Sequence, residues 1–549
     1  MFRSLRLPVS LPTALAVAGA ALTLAVPATA AAASGAAAAS TAGTAGGTAC
    51  VTRTSLGVVA GTATDGLCAF RGVPYAQPPV GRLRFRPPRP VSPWRGTLKA
   101  VDGTKVCPQG RDEMSEDYPD DRKAYTDEDC LHLNVWTPKP DRSKRPVIVF
   151  IHGGAAAYGT GNEARYDGTN LAARGDAVVV SLNYRLGLLG WAELGGLDPA
   201  YRGSGNNGLR DQIAALGWVR DHVADFGGDP ANVTVVGESA GAFSISAMLA
   251  TDHPERLFRR AVLQSGSGAL VHTAAFERRL ASTLPVRDLA ALRRMSVTEL
   301  LAVQEKAVAA FPGAAGHALY FGPYVDGTLV RDTVVKRVKA GNARGIDLLL
   351  GTDRDEMNFF GQYSKDGLRT LAEQYDAFFP KELTARRARM TEVYRRDRTK
   401  QAAALAMFTD QGMRVPALRL AEAQSRWRPT YVYQFDWAPP KGVGAVHTIE
   451  LPFMFGTLRF VGVQGGPEAL RTDRARLTTL SAQMVDAWTS FARTGDPGAR
   501  RTVPRPAWPA YRVPRRATMI WDLSPRVADD PRGHERALWD GVPFDGAYM

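Results

Sequence analysis

Cysteine is scarce in this 549-residue chain, and its four copies all lie in the first quarter, at Cys50, Cys68, Cys107 and Cys130. There is no C-x-x-C pair and no neighbouring pair of histidines, so the spacing excludes the common zinc sites. An even number of cysteines favours disulfides in an exported protein. Three pairings are possible, and nearest-neighbour pairing would close two local loops.

Acidic residues are fewer than basic ones, with 54 Asp and Glu against 68 Lys and Arg, which gives a net charge of +14. The arginines are scattered, with local clusters at 386–389 and 500–501, and no basic stripe is interleaved with aromatic residues. The sequence therefore lacks the pattern of a nucleic-acid-binding protein. We expect a solvated, arginine-rich surface and no nucleic-acid partner.

Beyond the N-terminus, the sequence has no apolar run long enough to span a membrane. At the N-terminus, Arg3 and Arg6 precede an apolar stretch at 15–26 and a small-x-small cleavage site at 28–30. This pattern predicts a signal peptide over residues 1–30. Residues 31–48 are only Ala, Gly, Ser and Thr, which predicts a flexible leader. We expect a secreted protein without membrane attachment after cleavage, and a single domain over residues 49–549.

Strand and helix patterns alternate along that domain and predict an α/β fold with a mostly parallel central sheet flanked by helices. Continuous apolar runs, typical of strands buried on both faces, occur at 147–151, 177–182, 233–236 and 261–263. Further strands are expected at 131–136, 346–351 and 430–435, a helix at 208–226, and helical cap insertions at 275–340 and 365–425. A hairpin is expected between 55–61 and 67–72, around a turn at 64–66.

The pentapeptide Gly237-Glu238-Ser239-Ala240-Gly241 lies between an apolar strand pattern and a helical one. A G-x-S-x-G in that setting is a nucleophile elbow, which presents the serine oxygen at a helix N-terminus. The hydroxyl needs a histidine base, and the base needs a carboxylate to orient it. In α/β-hydrolases the chain order is serine, acid, histidine.

Three histidines lie far enough beyond the elbow to serve as the base: His317, His447 and His534. His447 is preferred because it follows a glycine-containing loop after the strand expected at 430–435, and the other two are expected on the surface. Three carboxylates directly follow the strand expected at 346–351 and fit the acid equally well: Asp353, Asp355 and Glu356. Upstream, the HGGA loop at 152–155 matches an HGGG-type oxyanion loop, so we expect the backbone amides of Gly154, Ala155 and Ala240 to bind an oxyanion.

Six long motifs occur in register in this chain: FRGVPYAQPPVGRLRF at 70–85, EDCLHLNVWTP at 128–138, NYRLGLLG at 183–190, GNNGLRDQIAALGWVRDHVADFGGDPANVTVVGESAGA at 205–242, LQSGS at 263–267 and FARTGDP at 491–497. In these motifs the chain resembles the type B carboxylesterases, which include the cholinesterases and bacterial esterases that act on nitrobenzyl esters. The resemblance runs from about residue 70 to 523. It implies the α/β-hydrolase fold, hydrolysis of a small-molecule ester, and no metal or organic cofactor.

The resemblance also implies roles for individual residues. It assigns the triad to Ser239, Glu356 and His447, and a disulfide to Cys107 and Cys130. It further suggests that Glu238 and Glu450 form a buried acidic network behind the triad. It also suggests that Ser265 helps to hold Glu356.

The chain departs from the family pattern at three places. The oxyanion loop has Ala155 and Ala156 where a third glycine and an aromatic residue are common, so Ala156 should widen the site. Met357 follows the triad acid where glycine is usual. The loop between Cys107 and Cys130 contains tyrosines at 118 and 125 but no tryptophan, so a choline ester is not expected as substrate.

Two other functions use the same fold. A non-catalytic cholinesterase-like binding protein would lose the nucleophile or its partners, whereas Ser239, Glu356 and His447 are all present here. An amide or peptide hydrolase would use the same triad, and the motifs do not separate it from an esterase.

Overall fold

A computed structural model describes residues 50–103, 105–110, 126–268, 271–311, 320–377, 379, 383–499 and 501–544. The predicted signal peptide and leader lie outside these ranges, as do Tyr118 and Tyr125. None of the helices in the described ranges is both long and apolar enough to cross a membrane.

The described residues contain fourteen strands in two sheets. They are β1 (Val51–Thr54), β2 (Gly57–Ala60), β3 (Thr62–Thr64), β4 (Leu67–Pro74), β5 (Thr97–Lys99), β6 (His132–Thr137), β7 (Arg145–Ile151), β8 (Val178–Leu182), β9 (Gly228–Glu238), β10 (Arg260–Gln264), β11 (Asp347–Asp353), β12 (Thr430–Phe435), β13 (Ala517–Trp521) and β14 (Arg526–Asp529). The large sheet has the order β14-β13-β12-β11-β10-β9-β7-β8-β6-β4-β3, and the small sheet has the order β1-β2-β5.

The middle of the large sheet, from β13 to β8, is parallel, and its two margins are antiparallel. This is the mostly parallel sheet that the sequence predicts. Because parallel strands share one direction, the chain leaves β9, β11 and β12 at the same edge of the sheet. Ligands of open α/β sheets bind at that carboxyl edge.

Helices cover both faces of the sheet. They are α1 (Thr169–Gly175), α2 (Gly187–Trp191), α3 (Asn207–His222), α4 (Ala240–Leu249), α5 (Ala274–Ser282), α6 (Leu289–Arg294), α7 (Val297–Ala309), α8 (Val334–Lys339), α9 (Asn358–Gly361), α10 (Gly367–Ala377), α11 (Thr384–Tyr394), α12 (Lys400–Thr409), α13 (Val415–Gln424), α14 (Leu451–Met454), α15 (Gly466–Thr472), α16 (Arg474–Thr494) and α17 (Gly533–Arg536). A π-helical turn, Asp410–Arg414, joins α12 to α13.

Alternate residues of each central strand belong to different apolar cores. In β7, Val147 and Val149 pack in the core that includes residues of α3 and α4. Ile148 and Phe150 pack in the core that includes residues of α16. Every residue of β7 is buried, as expected for a continuous apolar run with helices on both faces.

The predicted N-terminal hairpin is only partly correct. Its turn at 65–66 joins β3 to β4, but residues 57–60 pair with β1 in the small sheet instead of with β4. The chain changes sheets at Gly61, whose amide donates to the Cys50 carbonyl. A Cβ there would lie 2.3 Å from the Ala69 carbonyl oxygen, so the close crossing requires glycine.

Two disulfides fix this region. Cys50 is bonded to Cys68 and Cys107 to Cys130. The first joins the residue before β1 of the small sheet to β4 of the large sheet. It therefore links the two sheets covalently.

Candidate active site

Ser239 lies in the sharp turn between β9 and α4. Its backbone has φ 51° and ψ −121°, a conformation that non-glycine residues rarely adopt, and its amide donates to the Gln264 carbonyl at 3.0 Å. The turn packs against the end of β7, because a Cβ on Gly241 would lie 2.1 Å from the Ile151 carbonyl oxygen. The structure therefore has the strand, strained turn and helix that the elbow motif predicts.

The His447 ring lies between two carboxylates. Its Nδ1 atom is 2.6 Å from Glu356 Oε2, and its Nε2 atom is 3.1 Å from Glu238 Oε1, the latter outside hydrogen-bond geometry. His447 is 3% exposed and Glu356 is fully buried. Since Glu238 immediately precedes Ser239, the Nε2 edge of the ring faces the elbow.

The three carboxylates that spacing alone left equivalent, and among which the family resemblance selects Glu356, occupy three different places. Glu356 meets His447 and also accepts the Asp353 backbone amide at 2.9 Å. Asp355 Oδ2 accepts the Ala445 amide at 2.9 Å and so holds the loop that carries His447. The Asp353 side chain is buried. Spacing in the sequence alone did not distinguish Asp353 from Glu356.

The electrostatics of the site are dominated by buried acids. Burial lowers the pKa of His447, but Glu238 and Glu356 overcome that effect and raise it to about 9. Burial raises the pKa of Glu238 to about 8, against the opposing attraction of the His447 ring. Burial also raises the pKa of Asp353 well above its usual range, with added repulsion from Glu450 and Glu356.

Beside Glu356, Glu450 takes part in a chain of polar contacts that sequence reasoning missed. Gln264 Nε2 donates to Glu450 Oε1 at 2.8 Å, and Trp488 Nε1 donates to Gln264 Oε1 at 3.2 Å. Gln264 is the residue before Ser265 in the LQSGS motif, which was the signal available for it. The Ser265 hydroxyl is buried and makes no hydrogen bond within the described residues, so it does not hold Glu356 here.

The oxyanion loop is held tightly. The amides of Ala157 and Tyr158 both donate to the Gly154 carbonyl, at 3.0 and 2.9 Å. Gly154, Ala155 and Ala156 have φ values of 96°, 54° and 55°, so both alanines adopt the left-handed conformation that favours glycine. Within the described residues, the Gly154 and Ala155 amides donate no hydrogen bond to any protein group.

The third predicted donor lies on the other side of the elbow. Ala240 is the first residue of α4, where an amide has no carbonyl partner in its own helix. Across the elbow, a Cβ on Gly153 would lie 2.5 Å from Glu238 Oε2 and 3.0 Å from Ser239 Cβ. The loop and the serine are thus in direct contact.

Other predicted residues lie away from this arrangement. His534 is exposed near the C-terminus, and position 317 lies outside the described ranges. Met357 is buried, and its amide donates to the Thr409 hydroxyl at 3.3 Å. Within the described ranges, no three histidine, cysteine or carboxylate side chains gather closely enough to hold a metal ion.

Comparison with known proteins gives a consistent result. A model of the carboxylesterase family matches residues 48–539. The para-nitrobenzyl esterase of Bacillus subtilis (strain 168) is 37% identical over 495 residues, covering 88% of this chain and 97% of that protein. The phenmedipham hydrolase of Pseudarthrobacter oxydans is 35% identical over 500 residues, covering 87% of this chain and 97% of that protein. A crystal structure of a Geobacillus stearothermophilus carboxylesterase superimposes with a TM-score of 0.77 at 36% identity, covering 89% of this chain and all of that one.

Proposed function

Because the chain belongs to the carboxylesterase family and is a carboxylic ester hydrolase, we propose that it acts through a Ser239–His447–Glu356 triad and an acyl-enzyme. One observation carries this proposal. The buried His447 ring has a carboxylate on Nδ1 and turns Nε2 towards the elbow that bears Ser239. That is the orientation a base needs to take the serine proton.

In the first half of the proposed reaction, the Ser239 oxygen attacks the ester carbonyl while His447 Nε2 takes the hydroxyl proton. The carbonyl oxygen gains negative charge, which the amides of Gly154, Ala155 and Ala240 stabilise. Glu356 holds the ring and stabilises the imidazolium that forms. The tetrahedral intermediate then breaks its bond to the alcohol oxygen, and His447 gives that oxygen its proton.

In the second half, water replaces the alcohol. His447 takes a proton from the water as its oxygen attacks the acyl carbon, and the same amides bind the second oxyanion. The bond to Ser239 breaks, the serine recovers its proton from His447, and the carboxylic acid leaves.

The triad is tested with Ser239→Ala and a matched control, Ser244→Ala. Ser244 lies in α4 beside the elbow, and its hydroxyl accepts from Gln212 instead of facing the site. We expect Ser239→Ala to abolish hydrolysis of a short nitrophenyl ester and labelling by an alkyl phosphonate, with Ser244→Ala retaining both. Normal turnover in Ser239→Ala would exclude the proposed nucleophile. Absence of phosphonate labelling in the unmodified protein would favour a non-catalytic binding protein.

The names of the relatives, a para-nitrobenzyl esterase and a phenmedipham hydrolase, support a small-molecule ester as the substrate. An acyl-chain-length series of nitrophenyl esters would report on the size of the pocket near Ala156. A matched series of nitroanilides would separate esterase from amide hydrolase activity.

We also propose that the protein is secreted after removal of residues 1–30. The N-terminal pattern supports this, and so do the two disulfides, which form and persist in oxidising compartments. N-terminal sequencing of protein recovered from the culture medium tests it. A mature N-terminus at Met1, or protein found only inside the cells, would contradict the proposal.

A further inference from the structure

A pocket of about 160 Å³ opens at the end of the sheet opposite the triad. It is lined by the segment 425–430, which leads from α13 into the first residue of β12, and by residues 510–512 before β13. The triad residues follow the carboxyl ends of β9 and β11, whereas this pocket lies at the amino end of β12. Six residues of strand separate the two ends by roughly 20 Å.

Arginine dominates the charge of this pocket. Arg426, Arg428 and Arg512 line it, and no acidic residue does. Arg426 and Arg512 are exposed, and neither pairs with an acid within the described residues. Arg428 is fixed at its Nε and Nη2 atoms by Asp347, each 2.8 Å away, which leaves Nη1 without a partner in the described part of the chain.

The carboxylate that fixes Arg428 is shared with a second arginine. Asp347, the first residue of β11, also lies 3.6 Å from Arg260, the first residue of β10, so one carboxylate serves two guanidinium groups. Burial lowers the pKa of Arg260, Asp347 partly offsets this, and repulsion from Arg259 and Arg428 adds to the lowering. An anion bound in the pocket would relieve this repulsion.

The size and chemistry of the pocket restrict its ligand. Its volume is below the roughly 300–1,000 Å³ of sites for drug-sized molecules. Guanidinium groups form paired hydrogen bonds to phosphate and carboxylate oxygens. The wall also contains Trp427, which is 44% exposed and offers an apolar surface to whatever group carries the anion.

We propose that this arginine pocket, lined by Arg426, Trp427, Arg428 and Arg512, binds a single phosphate-type oxyanion, separately from ester hydrolysis. The oxyanion is either a free phosphate ion or the phosphate of a lipid headgroup, since both present the same oxygens. The proposal does not depend on the triad, so the assays for the two are independent.

The test compares two double variants that each remove two positive charges. Arg426→Gln/Arg512→Gln alters the pocket, and Arg389→Gln/Arg396→Gln alters two exposed arginines that pair with Glu392 on another surface. Titration calorimetry with inorganic phosphate at low ionic strength should give saturable one-to-one binding for the unmodified protein and the control. The pocket variant should bind at least about tenfold more weakly. Nitrophenyl ester hydrolysis and the melting temperature should be unchanged in both variants.

A second arm identifies the source of the oxyanion. Sedimentation with phosphatidylglycerol vesicles, and with phosphatidylcholine vesicles as the uncharged reference, is measured for the same three proteins. Phosphatidylglycerol binding that is lost only in the pocket variant would assign a headgroup, and phosphate binding without vesicle binding would assign a free ion. Equal weakening of binding in both double variants would mean that only net charge matters and would overturn the proposed pocket site. The absence of both phosphate binding and vesicle binding in the unmodified protein would also overturn it.

Discussion

The carboxylate of Glu238 lies where it can set the pH at which His447 becomes a base. His447 accepts a proton only when it is neutral, so kcat/KM should fall as the pH drops below its pKa. Among the groups that raise this pKa, Glu238 comes first and Glu356 second. Glu238→Gln removes one of those charges without changing the shape of the side chain. We therefore expect the acidic limb of the pH profile of kcat/KM to move to lower pH.

The control for this prediction is Glu392→Gln, which removes a carboxylate that is exposed and pairs with Arg389. Its pH profile should match that of the unmodified enzyme. An acidic limb that stays in place in Glu238→Gln, or moves to higher pH, would show that Glu238 does not raise the pKa of His447.

Asp353 should act as a neutral hydrogen-bonding residue. Burial raises the pKa of its carboxyl well above the usual range and so favours the neutral form, and asparagine has the same shape without an ionisable group. We expect Asp353→Asn to retain kcat/KM within about threefold, which corresponds to about 0.7 kcal/mol. Asp353→Ala removes the buried carboxyl that interacts with Glu450 and should lower the free energy of unfolding by about 1–3 kcal/mol. If Asp353→Asn loses as much activity as Asp353→Ala, the carboxylate form is required.

Neighbouring residues of the oxyanion loop should respond in opposite directions to exchange of glycine and alanine. A Cβ on Gly154 would lie 2.3 Å from the Tyr158 carbonyl oxygen, so Gly154→Ala should displace the amide and lower kcat by about a hundredfold or more. Ala155 has φ 54°, which costs an alanine about 1–2 kcal/mol. Ala155→Gly recovers that strain but loses about 0.5–1 kcal/mol through backbone entropy. We expect a slightly higher melting temperature and near-normal kcat; a lower melting temperature would contradict the strain argument.

At the scale of elements, a buried ion pair joins the loop after β8 to α3. Arg185 Nε and Nη2 donate to the two Asp211 oxygens at 2.7 Å each, and the Arg185 amide donates to the same carboxylate at 3.1 Å. Asp211→Asn leaves the guanidinium buried without its counter-charge and should lower the free energy of unfolding by about 3–5 kcal/mol. Urea unfolding measures it. Glu392→Gln, at an exposed and solvent-screened pair, should leave the free energy of unfolding nearly unchanged; equal losses in the two variants would contradict the role of burial.

Central elements could be predicted from the sequence because their pattern is local. The apolar run at 147–151 is buried on both faces, and only a strand between two layers of helices satisfies that. The hairpin at 55–72 could not be predicted correctly, since residues 57–60 have two possible partners of similar composition. The choice between them rests on the crossing at Gly61, a tertiary contact that no local pattern encodes.

At the scale of the whole molecule, the site too combines residues that a local pattern predicts with residues that only tertiary contacts identify. Ser239 has a local motif, and its strained turn appears where the motif places it. The acid had no such local motif: spacing did not distinguish Asp353, Asp355 and Glu356, and only the family resemblance selected Glu356. In the structure, the contacts of the loop at 445–447 distinguish Asp355 from Glu356. Gln264 was missed because its partner, Glu450, is 186 residues away in the chain.

The disulfides crosslink Cys50 to Cys68 and Cys107 to Cys130, and their effect on stability can be separated from catalysis. They close loops with sequence separations of 18 and 23 residues, and each should contribute about 3 kcal/mol to the free energy of unfolding by restricting the unfolded chain. Dithiothreitol should therefore lower the urea midpoint of the unmodified protein. A variant with all four cysteines replaced by alanine should unfold at the lower midpoint with or without dithiothreitol. Both disulfides lie before β6, in chain segments that do not carry Ser239, Glu356 or His447, so this variant should hydrolyse nitrophenyl esters normally at temperatures where it is folded. An equal midpoint for the oxidised protein and the variant would show that the crosslinks do not stabilise the fold.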